Sequence, residues 1–397
     1  MGLFKNILVY FKKKDILKKQ TDHSIPNLEN YNPTNKTIVF INGGIPTHDK
    51  DSGSNRFKEI ILAFKQQDFN CIICVNKAYR SDNYIRYYID LGIIVYVETN
   101  KFNNYFEFLK TISKVDYVWY YSPNTLKDNL NKISKILYQS KSIYDMVDIH
   151  FLRYRRAIEL DPTRISLRKK YKKYLQIETK LAKKVDYVVA ISDIENEIMS
   201  EYIDSKKIIT ISNIHYTKIK KEDTFTFEKR KDIIFIGSAH APNIDALYYL
   251  YNDIMPLVWK KKPEIKVNII GNVNKEISNI NHPNFVFQGY VPDVEPFFNN
   301  NLLMVAPLRY GAGVKGKIGQ AFEYYLPVVT SSIGAEGMNL NNQKNALIND
   351  NAEDFANSII ELYSNKKLWL KLHNNSEDSL FPFSKENLIT KIGTIFT

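Results

Sequence analysis

The stretch Ala306-Pro-Leu-Arg-Tyr-Gly-Ala-Gly-Val-Lys-Gly-Lys-Ile-Gly-Gln-Ala321 holds the residue types best suited to chemistry. It follows an apolar run and opens a helical pattern. Around that helix start it gathers glycines with Arg309, Lys315 and Lys317. Cations are unfavourable at the positive end of a helix dipole. Placing them there makes physical sense if an anion sits between them, because the free N–H groups of a helix start attract phosphate. The stretch therefore predicts a phosphate site. The plainer alternative is a Gly-rich loop with solvated lysines. The pattern GxxxxGK[ST] of a Walker A loop is not matched.

Three further loops carry polar residues after apolar runs. Asn42 to Arg56 contains Gly53 and Ser54, and a helix is expected to open near Ser54. Gly permits close backbone approach, so Gly53 and Ser54 are candidates for a diphosphate or acceptor contact, against an ordinary loop. Ile236 to Asp245 places His240 and Asn243 just before a helix. They are candidate donors to phosphate or sugar, or else a lone histidine and an Asn cap. Tyr144 to Arg153 brings Asp148, His150 and Arg153 to a strand end, and His150 is the histidine with the best case for chemistry.

The elements that must position these loops are legible in the hydropathy pattern. The 397 residues suffice for two or three domains. Short apolar runs at Thr37–Ile41, Cys71–Val75, Ile93–Val97, Tyr117–Tyr121, Ser142–Val147, Tyr187–Ile191 and Ile208–Ile211 alternate with helical stripes. Residues 213–231 are charged and aperiodic, and a second series begins at Asp232–Ile236. The expected fold is α/β, two doubly wound parallel-sheet domains facing across a cleft. The expected boundaries are 1–36 (basic extension and linker), 37–212 (first domain), 213–231 (linker), 232–380 (second domain) and 381–397 (C-terminal helix). The stripe Ile244 to Val258 predicts one helix, and 352–372 another.

Composition narrows the partners. The net charge of +12 suits an anionic partner such as nucleotide phosphate or phospholipid. No nucleic-acid module is recognisable, so nucleic acid is set aside. The two cysteines, Cys71 and Cys74, exclude a disulfide scaffold. Their spacing in a strand points them to opposite faces, which predicts core packing. No run is long enough to span a membrane. Residues 1–20 are basic, with Leu3, Phe4, Ile7, Leu8 and Phe11 at helical spacing. Such a segment either lies on an anionic membrane surface or is a solvated or core-docked helix.

Taken together, Asp49–Arg56, Tyr144–Asp148, Val185–Glu195, His240–Ala246, Ala306–Ala321, Leu326–Thr330 and Gly334–Gly337 resemble the retaining GT-B glycosyltransferases of the family 4 type, the glycosyl transferases group 1. The resemblance covers roughly residues 37–380. It implies two Rossmann-like domains, a nucleotide-sugar donor held mainly by the second, and a final helix crossing back to the first. It implies sugar transfer to an acceptor hydroxyl with retention, in cell-surface polysaccharide or lipid-linked glycan synthesis. It implies no metal and no cofactor, with a cytoplasmic location; the membrane-surface reading of residues 1–20 would add a peripheral contact on the cytoplasmic face. His150 and Lys317 take catalytic positions. Gly53, Ser54, His240, Asn243, Arg309, Gly311, Gly313, Val314, Lys315, Lys317 and Gln320 take donor-binding ones. The family usually carries two glutamates eight positions apart where this chain has Ala312 and Gln320, and a small Gly where it has Tyr325. Glu323, one turn beyond Gln320, is the nearest carboxylate that could stand in. Gln320 motivates a second expectation, a degenerate donor-binding partner in a glycosyltransferase complex. A sugar-nucleotide epimerase on the same fold is a third.

Overall fold

The computed structural model describes residues 24–396 apart from 274–276 and 278. The basic segment 1–20 lies outside the described residues. Seven parallel strands form the first sheet: β1 (Thr37–Asn42), β2 (Asn70–Val75), β3 (Ile94–Val95), β4 (Tyr117–Tyr121), β5 (Lys141–Asp145), β6 (Tyr187–Ala190) and β7 (Ile208–Thr210). Their order is β3-β2-β1-β4-β5-β6-β7. Six parallel strands form the second: β8 (Ile233–Ile236), β9 (Val267–Ile270), β10 (Phe285–Gly289), β11 (Leu303–Ala306), β12 (Val328–Thr330) and β13 (Leu347–Ile348). Their order is β10-β9-β8-β11-β12-β13. Runs such as Ile38-Val-Phe-Ile41 are buried on both faces, as parallel strands under helices on two sides require.

In both sheets the strand order reverses beside the first strand, between β1 and β4 and between β8 and β11. Ligands bind outside the carboxyl ends of strands at such a reversal. The loops after β1, β5, β8 and β11 therefore converge on the space between the domains, and these are the loops singled out above. Cys71 and Cys74 are buried free thiols in β2, and burial pushes both pKa values up.

The helices differ from the sequence expectation in three places. The first opens at Ser52 rather than Ser54, because the Asp51 carboxylate caps it by accepting from Ser54 N at 2.7 Å. The stretch Ile244–Val258 is not uniform: Ala241–Tyr249 and Met255–Lys261 are joined by a π-helical turn at Leu250–Ile254. Pro256 follows that turn, and its missing N–H disrupts the regular ladder. The single helix expected over 352–372 is two, Ala352–Ser364 and Lys366–Asn374. Asn365 leaves helical geometry and its side chain accepts from Leu368 N at 3.1 Å, capping the second.

The last helix, Lys385–Phe396, lies on the first domain. Leu388, Ile392 and Phe396 join that domain's core. Phe396 sits 5.2 Å from the Phe64 ring and 5.3 Å from the Tyr117 ring, centroid to centroid. Burying each such side chain contributes about 1.5–3 kcal/mol, so this helix is a substantial tie between the chain end and the first sheet. No helix among the described residues is long and apolar enough to cross a membrane.

Candidate functional site

The domains meet along a seam of close backbone approaches. A Cβ added at Gly316 would fall 2.5 Å from the Ser52 side chain, and one at Gly313 would fall 2.9 Å from Asp148 Cβ. Gly313 also has φ of 72°, which other residues adopt at a cost. Polar ties cross the same seam. Arg156 donates to both Glu336 carboxylate oxygens, at 2.6 and 2.7 Å, and to the Gly311 carbonyl at 2.8 Å. Glu195 Oε1 accepts from Gly313 N at 2.7 Å and from Ile149 N at 3.2 Å.

Between these ties lies a cavity of about 540 Å³. The first domain supplies His48 to Ser52, Asn55 and Asp148. The second supplies Ile236 to Ser238, His240, Asn243, Ala312, Val314 to Lys317, Gln320 and Glu323. A second cavity of about 710 Å³ adjoins it past His240, lined by Arg153, Tyr154, Arg164, Lys170, Arg309 and Tyr310 among others.

Two helices of the second domain begin at the smaller cavity. Gly316–Glu323 has no side-chain cap at Lys315, and Ala241–Tyr249 has none at His240. Two helix starts of the first domain contrast with this. Asp51 caps Ser52–Gln66, and the Glu178 carboxylate accepts from His150 N and Phe151 N at 2.9 Å each. Lys317 stands between the two uncapped starts. Its ammonium donates to Asn243 Oδ1 at 2.6 Å and lies 4.8 Å from the Phe235 ring centre. Burial, and then the Lys315 charge, lower its pKa to about 7. Burial penalises any charge, but the positive charges of Lys315 and Lys317 side by side are what an incoming anion relieves. The His240 pKa is lowered by burial and then by Arg153, which donates to His240 Nε2 at 3.4 Å. The neutral ring therefore carries its proton on Nδ1, as a donor.

The structure does not bring all the expected residues to this point. Arg309 is turned away: it pairs with Asp245 and borders the larger cavity. Lys315 borders the smaller cavity, but its ammonium donates to the carbonyls of Ala312 at 3.3 Å and Gly313 at 2.5 Å. Burial holds its pKa down to about 8. It braces its own loop. Ser54 N and its hydroxyl both donate to Asp51, and Gly53 packs under Tyr121, so Ser52 and Asn55 face the cavity instead. Gly311 adopts φ of 156° and presents its carbonyl to Arg156. Val314 is nearly buried at the rim, and Gln320 lies along the wall.

His150 is a supporting residue in this geometry. Its Nδ1 lies 2.9 Å from Glu178 and 3.1 Å from Asp148, and its ring stacks on Tyr174. Burial alone would lower its pKa, but the two carboxylates prevail and raise it. Asp148, not His150, borders the cavity. Sequence reasoning missed Arg156 and His215, and it held Glu195 and Glu336 only as members of the stretches Val185–Glu195 and Gly334–Gly337, without a role in the cleft. Only the position of Glu195 after β6 and of His215 after β7, at strand carboxyl ends, could have flagged them.

Glu195 gives a pH test of the seam. Burial, and then the Asp148 charge, push its carboxyl up to about 7, and its Oε2 is buried without a partner among the described residues. A raised carboxyl contributes stability below its unfolded value of 4.5 and loses it as pH rises through about 7. Glu195→Gln keeps an acceptor for Gly313 N and cannot ionise. It is expected to be up to about 3 kcal/mol more stable than wild type at pH 8, with little difference at pH 5. Urea melts at the two pH values read this directly; equal midpoints at pH 8 would refute the raised Glu195 carboxyl.

Comparison with known proteins fits this geometry. Residues 230–365 match the model of the family described as glycosyl transferases group 1. The second domain belongs to the group 1 glycosyltransferases. The glycosyltransferase match begins just before β8 and covers the loops of both uncapped helices. A Klebsiella pneumoniae protein described as an uncharacterized 44.6 kDa protein in the cps region is 28% identical over 199 residues. That match covers 47% of this chain and half of the relative's length. Among solved structures, Anabaena HepE in complex with UDP-glucose aligns over 90% of this chain and 98% of its own, with a TM-score of 0.65 and 13% identity. S. aureus TarM, in complex with UDP among other ligands, aligns over 91% and 100%, with a TM-score of 0.67 and 14% identity. At these identities the likeness is one of fold, and the fold is GT-B.

Proposed function

We propose that the chain transfers a sugar from a nucleoside-diphosphate sugar to an acceptor hydroxyl, with retention of anomeric configuration. The carrying observation is Lys317, a cation disfavoured by its burial, between two helix starts without side-chain caps. In the transition state the departing diphosphate gains negative charge. The ammonium of Lys317 and the N–H groups of the two helix starts meet that charge without reorganising. His240 donates from Nδ1, and Asn243 holds the lysine in place. Neither a metal nor a cofactor is needed for this division of labour. The sugar then lies toward Asp148, which Arg153 and His150 hold in position.

The acceptor enters through the adjoining cavity, whose arginines, lysine and tyrosines suit a glycan bearing phosphate. The family of the second domain and the cps-region relative support a role in surface polysaccharide or lipid-linked glycan synthesis. The basic residues 1–20 would then meet the anionic cytoplasmic face of a membrane.

A thermal-shift panel of UDP, GDP, dTDP, CMP and ADP with their sugars tests the donor site, because a ligand of the folded state raises apparent stability. One nucleotide family should stabilise the protein. Real-time NMR of that donor's slow hydrolysis should show first the anomer the donor carried. Release of the opposite anomer would overturn retention. Stabilisation with no turnover on any acceptor would favour the degenerate partner. No stabilisation by any nucleotide would sink the proposal.

A further inference from the structure

We propose that His215, held by Glu323, accepts a hydrogen bond from a ribose hydroxyl of the bound nucleotide, taking over the work of the carboxylate that Gln320 lacks. This inference rests on the donor-site reading above. His215 lies beyond β7 in the crossing between domains and is only 5% exposed. Its backbone N–H donates to the Phe383 carbonyl at 2.9 Å. Its ring lies flat against the helix Gly316–Glu323: a Cβ on Gly319 would fall 2.4 Å from both Cδ2 and Nε2 of the imidazole. His215, Gln320 and Glu323 border the same cavity as Lys317.

The two ring nitrogens have different surroundings. Nδ1 is 2.9 Å from Glu323 Oε1, whereas Nε2 is buried with no partner among the described residues. The carboxylate can only accept, so Nδ1 carries a proton, and in the neutral ring Nε2 presents its lone pair. A buried acceptor without a donor is costly, and folded proteins rarely leave one unused. A lone pair repels phosphate oxygen and accepts from a hydroxyl. Position agrees with chemistry. At 1.5 Å per residue, Gln320 lies about 6 Å and Glu323 about 10 Å past the helix start. A diphosphate at that start places its ribose alongside the next turn, between Gln320 and His215.

Calorimetric titration of UDP, GDP and ADP, each beside its 2′-deoxy and 3′-deoxy analogue, tests the contact. For the nucleotide that binds wild type, loss of the contacted hydroxyl should weaken binding about tenfold. In His215→Leu the intact nucleotide should weaken about as much, and the ribo-to-deoxy ratio should collapse to near one. Gly319→Ala, which displaces the imidazole without removing it, should reproduce that collapse, and melts without nucleotide confirm that each variant is folded. An unchanged ratio in both folded variants would overturn the role of His215. Equal weakening of ribo and deoxy forms, with the wild-type ratio kept, would move His215 to a phosphate contact and also overturn it. If no nucleotide binds wild type, the donor site itself fails first, and this inference with it.

Discussion

Lys317→Ala is expected to lower sugar transfer by about 10²–10³-fold, the usual cost of removing one preorganised charge-stabilising group. Nucleotide binding should become too weak for a thermal shift, while the melting temperature of the empty protein changes little. The second half of this expectation follows from the first. A cation whose pKa is held near 7 by burial and by Lys315 is not a group the empty fold depends on. Diphosphate binding restores a partner and pulls that pKa back up. The sign of the pH dependence is then fixed. Binding takes up a proton above pH 7, so affinity should fall by up to about tenfold per pH unit until the bound-state pKa is reached. Calorimetry at pH 7.5 and 8.5, in two buffers of different ionisation enthalpy, measures the proton directly. Lys317→Ala should abolish the uptake as well as the affinity. Uptake that survives in the variant would assign the titration to another group, with Lys315 the first candidate because its pKa is held down to about 8.

The contrast between Lys315 and Lys317 shows where sequence reasoning stops. Both lysines are two residues apart in one loop, and the argument from helix dipole and cation applied equally to each. The fold separates them by partner. One reaches back to carbonyls of its own loop, and the other reaches Asn243, 74 positions away. Arg309 fails for the same reason: Asp245, 64 positions upstream, claims it. Spacing assigns a long side chain to a loop but not to a direction. The strands were legible because buried parallel strands need continuous apolar runs, and β1, β2 and β4 have them. The helix starts and breaks were less legible, since Asp51, Pro256 and Asn365 act locally through one cap or one missing N–H. His215 was invisible because a charged aperiodic stretch reads as linker, and its partner Glu323 lies 108 positions on. The departure at Tyr325 is real in the backbone: this tyrosine holds φ of 55°, a region favouring glycine, with its hydroxyl donating to Glu377 at 2.8 Å.

Arg56→Met is expected to destabilise the protein by about 3–5 kcal/mol, the range for stripping one partner from a buried ion pair. Arg56 and Asp145 have fully buried side chains. The Arg56 Nη1 donates to both Asp145 oxygens, at 2.8 and 3.1 Å, while Nε and Nη2 donate to the Ile211 carbonyl at 3.1 and 2.9 Å. Asp145 also accepts from Trp119 Nε1 and from Val147 N, each at 3.1 Å. One guanidinium thus ties the first helix to the ends of β5 and β7. What those strand ends carry makes the pair matter for function. Val147 has φ of 65°, a costly conformation for a β-branched residue. Its N–H bond to Asp145 supports the turn that sets Asp148 against Gly313. Ile211 leads directly into the crossing that carries His215. The double variant Arg56→Met with Asp145→Leu should be more stable than Arg56→Met alone, because no charge is left buried without a partner. It should still lose sugar transfer, because the support for Val147 is gone. Urea melts of the single and double variants decide the first point, and strictly additive costs would show that the two residues are not coupled. Transfer assays on the refolded double variant decide the second. Full activity there would mean that the turn at Val147 holds itself, and that Arg56 and Asp145 serve the core and not the cleft.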